Sequence, residues 1–447
     1  MTVKGKKLFR RQESIRHFLF SSTDPGRLEK AKRPISNVFD KALQSGFPEV
    51  PSGSRFIEQI LQQLNVVTCF SALATRIDSE AQHEKDPAEA AMMEGQRELA
   101  AILAMVCDTE KDQWGMLEPG LFVAIFPDKN DSQCLKLAHG IQKKLAAKTR
   151  RTATMGVAGY PSITYQKKQI FENARKALDH AAFFGPDSAA VFDAVSLNIS
   201  GDKLYEKGNI AGAIAEFKMA LALDDANVNV HNSLGVCYGL QGKYEQAMEE
   251  FKTAASIDGD EYMALYNQGL VNKLTDRRRQ ALEFFLKAGK RGAAVFEIAF
   301  QTGKLYLELE NPEKAATFLE QAAELEPRSS TVFRYLGDCY EAGGRPEPAI
   351  AAYTKAIRQN PQDAASMSAL GHLFDSRREN PEIALMFCHE SVALEPENGL
   401  LHYRLGRLYE HQNQMAQALK EFKKAERLGH DASESISKIE GRQKAAK

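Results

Sequence analysis

Seven glycines, Gly201, Gly235, Gly269, Gly303, Gly337, Gly371 and Gly406, recur at intervals of 34 residues five times and then 35 residues once. A period of this length restricts folding to stacked copies of one small unit. Other positions keep the same beat. An alanine follows each of the first five glycines by twelve residues (Ala213, Ala247, Ala281, Ala315, Ala349) and returns as Ala384 and Ala418. Four residues further on stand Phe217, Phe251, Phe285, Leu319, Tyr353, Cys388 and Phe422. The spacing predicts two antiparallel helices per unit. Glycine and alanine sit where the backbones approach, and the large side chain fills the space between them. Pro327, Pro361 and Pro396 close three second helices, because proline cannot continue the hydrogen-bond ladder.

This pattern resembles the tetratricopeptide repeat over about residues 194–429. The resemblance implies an all-α superhelical solenoid of seven repeats whose concave groove, lined by the first helix of each pair, binds a protein or peptide. Groove positions so implied are Asn198, Asn229, Asn232, Tyr266 and Asn267 early on, and Arg334, Tyr403 and Arg407 later. Asparagines in successive repeats can pair with the backbone of an extended peptide. The later groove also carries Asp338, Glu341 and Glu410, so no single-sign partner is implied. Residues 430–447 read as a capping helix, with Ile436 and Ile439 on one face, and a tail.

The chain has 447 residues, 58 Lys plus Arg and 59 Asp plus Glu, so its net charge of −1 gives no global attraction to nucleic acid or membrane. No apolar run approaches the roughly 18 residues of a membrane span. Residues 1–33 form a basic leader, with ten Lys or Arg against three acidic residues, expected to be disordered. Six cysteines lie scattered without a CxxC pair, which fits a reducing compartment and a cytoplasmic location. The histidines lack metal-ligand spacing, and no nucleophile elbow or phosphate loop is present, so no cofactor is expected.

Residues 34–193 read as a separate α+β domain. Helices are predicted over Pro34–Gln44, Ser54–Leu64, Asp86–Cys107, Asp131–Ala147 and Gln169–Phe184. Strands are predicted over Val66–Ile77, Thr152–Tyr160 and Ala189–Phe192, with a hairpin over Trp114–Pro127 turning at Glu118-Pro119-Gly120. That order implies a ferredoxin-like mixed sheet backed by helices.

Several segments here are similar to the GGDEF domain of diguanylate cyclases. They are Ser54-Arg55-Phe56, Arg76-Ile77-Asp78, Glu118-Pro119-Gly120-Leu121-Phe122, Thr154-Met155-Gly156-Val157-Ala158, and the helix Asn173–Ala181 running on to Gly185. The resemblance implies a nucleotide site at Arg76, Asp78, Glu118, Gly120 and Leu121. In that family, carboxylates on the first strand and hairpin hold two metal ions over a triphosphate. Here Arg76 and Leu121 replace such carboxylates, and Leu121 can neither bind a cation nor accept a proton. Asp78, Glu118 and Asp112 remain as possible ligands of a different site, although loop and turn carboxylates are usually just solvated. The two resemblances imply a non-enzymatic, bacterial signalling adaptor: a catalytically inactive GGDEF-like domain that caps or regulates a partner-binding repeat array. The alternative is a receptor in which that domain binds a guanine nucleotide or cyclic di-GMP and controls the repeats.

Overall fold

The computed structural model describes residues 47, 50–78, 87–107, 110–149, 151–292 and 294–445. The expected leader and the helix over residues 34–44 lie outside the described residues. The rest falls into two compact units, one running up to Gly259 and the other from Asp260 onward. This division comes two helical hairpins later than the change from mixed to all-helical structure.

In the first unit, α1 (Gly53–Gln63) precedes β1 (Phe70–Ile77), α2 (Pro87–Val106), the hairpin β2 (Gln113–Glu118) and β3 (Leu121–Pro127), α3 (Asp131–Thr149), β4 (Ala153–Tyr160), α4 (Gln169–Phe183) and β5 (Ala189–Val191). The strand order is β2-β3-β1-β4-β5, with β1 antiparallel to both β3 and β4, and β4 parallel to β5. One side of the sheet packs Leu73, Phe122 and Met155 against Leu103 and Ile141 of α2 and α3. The other packs Ala72, Val123 and Ala158 against Phe56 of α1 and Leu178 of α4. A strand covered on both faces reads as an unbroken apolar run, as β3 does, whereas β1 interrupts its run with Ser71, Thr75 and Arg76. The expected first strand nevertheless starts late: Leu64–Val66 forms a 3-10 turn, and Val66 is 89% exposed. Gly156 lets α4 approach, because a Cβ there would meet the backbone of Leu178 and Ala174.

The helical hairpins pair α5 (Ala194–Glu206) with α6 (Ile210–Leu223) and α7 (Val228–Leu240) with α8 (Tyr244–Ile257) in the first unit. The second unit holds α9 (Tyr262–Leu274) with α10 (Arg278–Arg291), α11 (Phe296–Glu308) with α12 (Pro312–Leu325), α13 (Ser330–Ala342) with α14 (Pro346–Gln359), α15 (Ala364–Ser376) with α16 (Pro381–Leu394), α17 (Gly399–His411) with α18 (Met415–Arg427), and the closing helix α19 (Ser433–Ala445). Each ladder glycine faces the large side chain of its own second helix. A Cβ at Gly235 or Gly269 would lie 2.6 Å from Phe251 or Phe285, and one at Gly406 would lie 2.8 Å from Phe422. Seven residues after each of these glycines the backbone turns left-handed, at Gly208, Gly242, Asp276, Glu310, Gly344, Arg378 and Asn413. The single 35-residue interval is absorbed between α15 and α16, where Asn380 is a further residue with positive φ. Pro312, Pro346 and Pro381 start second helices at a position whose N–H has no helical partner. Ala432, Ile436 and Ile439 of the closing segment pack on Phe422 and Ala425, covering the apolar end of the last hairpin.

The sheet region and the first hairpin are joined without a linker. Asp193 ends the strand region and caps α5 through a reciprocal pair of bonds with Ser196. Lys176 Nζ of α4 donates to both carboxylate oxygens of Glu216 on α6 at 2.8 Å, with both side chains mostly buried. Lys203 of α5 pairs with Asp179 of α4 at 2.8 Å. His180 Nδ1 lies 3.2 Å from Ser196 Oγ.

Candidate functional site

The nucleotide-site residues carried by the GGDEF resemblance do not converge on a metal. Asp78 accepts from Thr154 Oγ1 at 2.5 Å and from the backbone N–H of Asp187 at 2.9 Å, which ties the end of β1 to β4 and to the turn before β5. Glu118 reaches Arg175 at 3.6 Å, while Arg175 forms a two-pronged bond with Glu172. Leu121 is fully buried in the sheet core, and Arg76 is exposed. Asp112 pairs with Lys129 at 3.2 Å at the other end of the hairpin from Glu118. Among the described residues no three His, Cys, Asp or Glu side chains gather as a metal site. Gly120 makes the hairpin turn at φ +76°, and a Cβ there would come within 3.2 Å of Gln96 Nε2. Gln96 Oε1 is buried without a hydrogen-bond partner.

The early groove residues differ from expectation. Asn232, Asn267 and Tyr266 are fully buried and Asn198 is 5% exposed; only Asn229 is exposed. The reason lies in their register. At two positions three residues before a ladder glycine the side chain turns toward the partner helix of the same hairpin: Tyr266 packs on Phe285 at 5.3 Å, and Tyr403 packs on Phe422 at 5.6 Å. A short amide at that position is enclosed. A long arginine can reach out, as Arg334 does over the Tyr335 ring at 5.2 Å. His231 and His402 act as clamps. Each ring lies between a glutamate (Glu250 at 2.7 Å, Glu421 at 2.6 Å) and a backbone carbonyl (Asp225, Pro396). The hydrogen bond that His231 gives to Glu250 raises the His231 pKa, which favours its doubly protonated ring.

Asp202 went unnoticed in the sequence, although it lies one turn beyond Asn198 on α5. It is 2% exposed, and neither of its carboxylate oxygens has a hydrogen-bond partner. Asn198 Oδ1 and Ser233 Oγ are likewise unsatisfied. Burial, followed by the nearby charge of Glu206, raises the Asp202 pKa from 3.8 to about 8. The sign follows: folding favours the neutral acid, so a cost builds as pH rises from the unfolded value toward 8. Asp202→Asn should therefore raise the thermal midpoint at pH 8, through a gain of more than about 2 kcal/mol, and leave it nearly unchanged at pH 4. Thermal unfolding at the two pH values checks this, and an equal shift at both would contradict it.

Along the second unit, polar contacts tie each first helix of a hairpin to the next. Lys273 of α9 reaches Gln301 and Glu308 of α11 at 3.3 and 3.2 Å, and Lys304 of α11 lies over the Tyr335 ring of α13 at 4.8 Å. Glu341 of α13 is 3.8 Å from His372 of α15, and Ser368 and Asp375 of α15 meet Arg404 and His411 of α17 at 3.4 and 2.7 Å. These side chains share the face that the tetratricopeptide resemblance assigns to the groove. His372 Nδ1 lacks a hydrogen bond. Burial and then the charge of Arg404 lower the His372 pKa, which keeps its ring neutral. Beside Arg334 and Arg407, sequence reasoning missed Arg404, whose sole signal was its place next to Tyr403.

Sequence profiles described as tetratricopeptide repeats match residues 300–364, 377–433 and 228–261, and one described as a TPR repeat matches residues 201–242. No curated protein sequence matches the chain. Among solved structures, YrrB, described as a TPR protein with an unusual peptide-binding site, is 20% identical, with 41% of this chain and 95% of that chain covered and a TM-score of 0.39. A tetratricopeptide repeat protein from Parabacteroides merdae ATCC 43184 is 19% identical, with 55% and 96% covered and a TM-score of 0.42. The MamA protein is 24% identical, with 38% and 93% covered and a TM-score of 0.34. No helix among the described residues is long and apolar enough to cross a membrane.

Proposed function

We propose that this chain, whose C-terminal half is a solenoid of tetratricopeptide repeats, is a non-enzymatic adaptor that holds a protein or peptide partner on the face formed by the first helix of each hairpin. The observation that carries this reading is the continuous row of partly exposed polar side chains on α11, α13, α15 and α17. On this reading the chain divides into a leader over residues 1–33, the domain over 34–193, the repeats over 194–429 and the capping helix and tail over 430–447. The N-terminal region is read as a ferredoxin-like, GGDEF-like domain that has lost catalysis, and its strand order supports that reading. The carboxylate it keeps just past β1, Asp78, is engaged by Thr154 and Asp187. Its role here is to cap the first hairpin through Lys176 and Asp193. A bacterial cytoplasm is the setting this reading expects.

Affinity capture tests the reading, with the full chain as bait compared against an Arg334→Ala/Arg407→Ala variant. A partner retained by the wild type and lost by the variant is the expected result; identical recoveries would contradict it. The alternative, a guanine-nucleotide or cyclic di-GMP receptor, draws on the unsatisfied Gln96 Oε1 beside the Gly120 turn. A nucleotide present at 100 times its Kd would stabilise the fold by about 2.7 kcal/mol, so an unmoved melting curve would remove that alternative.

A further inference from the structure

Around α13, α15 and α17 the charges are satisfied unequally. Each carboxylate on this face lies against a donor group, although Asp338 and Glu341 share the single hydroxyl proton of Tyr353. Tyr353 Oη lies 2.8 Å from both Asp338 and Glu341, His411 Nδ1 lies 2.7 Å from Asp375, and Lys438 Nζ lies 3.1 Å from Glu410. Asp363 accepts from the backbone N–H and hydroxyl of Ser366 at 3.2 and 2.8 Å.

The three arginines beside them are different. Arg334 comes no nearer than 3.8 Å to Asp363, and Arg407 comes no nearer than 3.9 Å to Glu410. Arg407 Nε is buried without a hydrogen-bond partner, which leaves its terminal N–H groups to meet a ligand, and Arg404 makes one long bond of 3.4 Å to Ser368. A guanidinium carries five N–H donors in a planar fork that matches a carboxylate, and ion pairs at 3.8–3.9 Å leave most of those donors unused. The three heads share one neighbourhood. The Asp338 carboxyl feels both Arg334 and Arg404, and the His372 ring feels both Arg404 and Arg407. The side chains of Arg334 and Arg407 are 30% and 42% exposed, open to a ligand from solvent.

We infer that the faces of α13, α15 and α17 form a binding site for an acidic peptide segment, whose side-chain carboxylates take the unused donors of Arg334, Arg404 and Arg407. This rests on the adaptor reading and names the chemistry of its partner. The face is mixed in charge when residues are counted, but basic in its free hydrogen-bonding capacity, and that capacity is what a ligand meets.

The test is fluorescence anisotropy with the full chain and two labelled, C-terminally amidated decapeptides, one alternating Glu and Gly, the other Gln and Gly. The Glu probe should bind at least about tenfold more tightly, and the preference should fade as ionic strength rises from about 0.05 to about 0.5 M. Arg404→Gln/Arg407→Gln should abolish the preference. Should that variant fail to fold, the lysine pair Arg404→Lys/Arg407→Lys keeps charge without the fork and should weaken the preference at least about threefold. Equal binding of the two probes overturns the inference, as does a preference unchanged in both variants or one that appears only with a free terminal carboxylate. A captured partner lost on groove substitution, together with equal probe binding, would leave the adaptor reading standing and remove this one.

Discussion

Phe251→Ala is expected to cost about 3–5 kcal/mol of unfolding free energy, among the largest effects of any single change in this chain. The ring is fully buried and lies where a Cβ on Gly235 would sit at 2.6 Å, so truncation empties the centre of the second hairpin. The cavity cannot be refilled by helix collapse, because Ala247 and Ala254 already bring the two helices together. Gly235→Ala attacks the same contact from the opposite side and should cost about 1–3 kcal/mol through overpacking. The two changes are not independent. In Gly235→Ala/Phe251→Leu the added methyl group occupies part of the space the smaller side chain vacates, so the double variant should be more stable than the sum of the single effects predicts. Chemical denaturation of the wild type, Gly235→Ala, Phe251→Leu and the double variant measures this, and strict additivity would contradict the packing account.

Glu216→Gln is expected to cost about 3–5 kcal/mol, because it leaves the Lys176 ammonium buried without its carboxylate. Lys176 is 8% exposed and donates to both oxygens of Glu216, so water cannot readily take over. Lys176→Met/Glu216→Leu, which removes both charges, should recover most of the loss. The pair joins α4 beneath the sheet to α6 of the first hairpin, and its removal should therefore raise hydrogen exchange on both sides of the junction. Faster exchange confined to one side would mean that the sheet region does not cap the hairpins.

Much of the fold was legible because its cause is local and repeated. The Gly235–Phe251 contact recurs at Gly269 with Phe285 and at Gly406 with Phe422, so the sequence shows the same packing several times. The hairpin over Gln113–Pro127 was readable from its turn residues and its apolar second arm. Val66 was not, since an apolar residue in a 3-10 turn looks like the start of a strand. The candidate groove was harder to read, because exposure depends on which way a side chain leaves its helix. Asn232 and Arg334 stand at the same distance from their glycines, yet the amide is enclosed and the longer guanidinium emerges. Charge counting also hid the difference between Arg404 and Asp375. It cannot register that His411 occupies the carboxylate while the guanidinium has one weak bond.

The central claim is that the groove face of the hairpins, and not the sheet region, holds the partner. Hydrogen exchange on the full chain, free and saturated with a partner recovered by capture, tests it most directly. Slower exchange along α11, α13, α15 and α17, with the region around Asp78 and Gly120 unchanged, is the predicted footprint. Protection centred on the β2–β3 turn, with those helices unchanged, would contradict it.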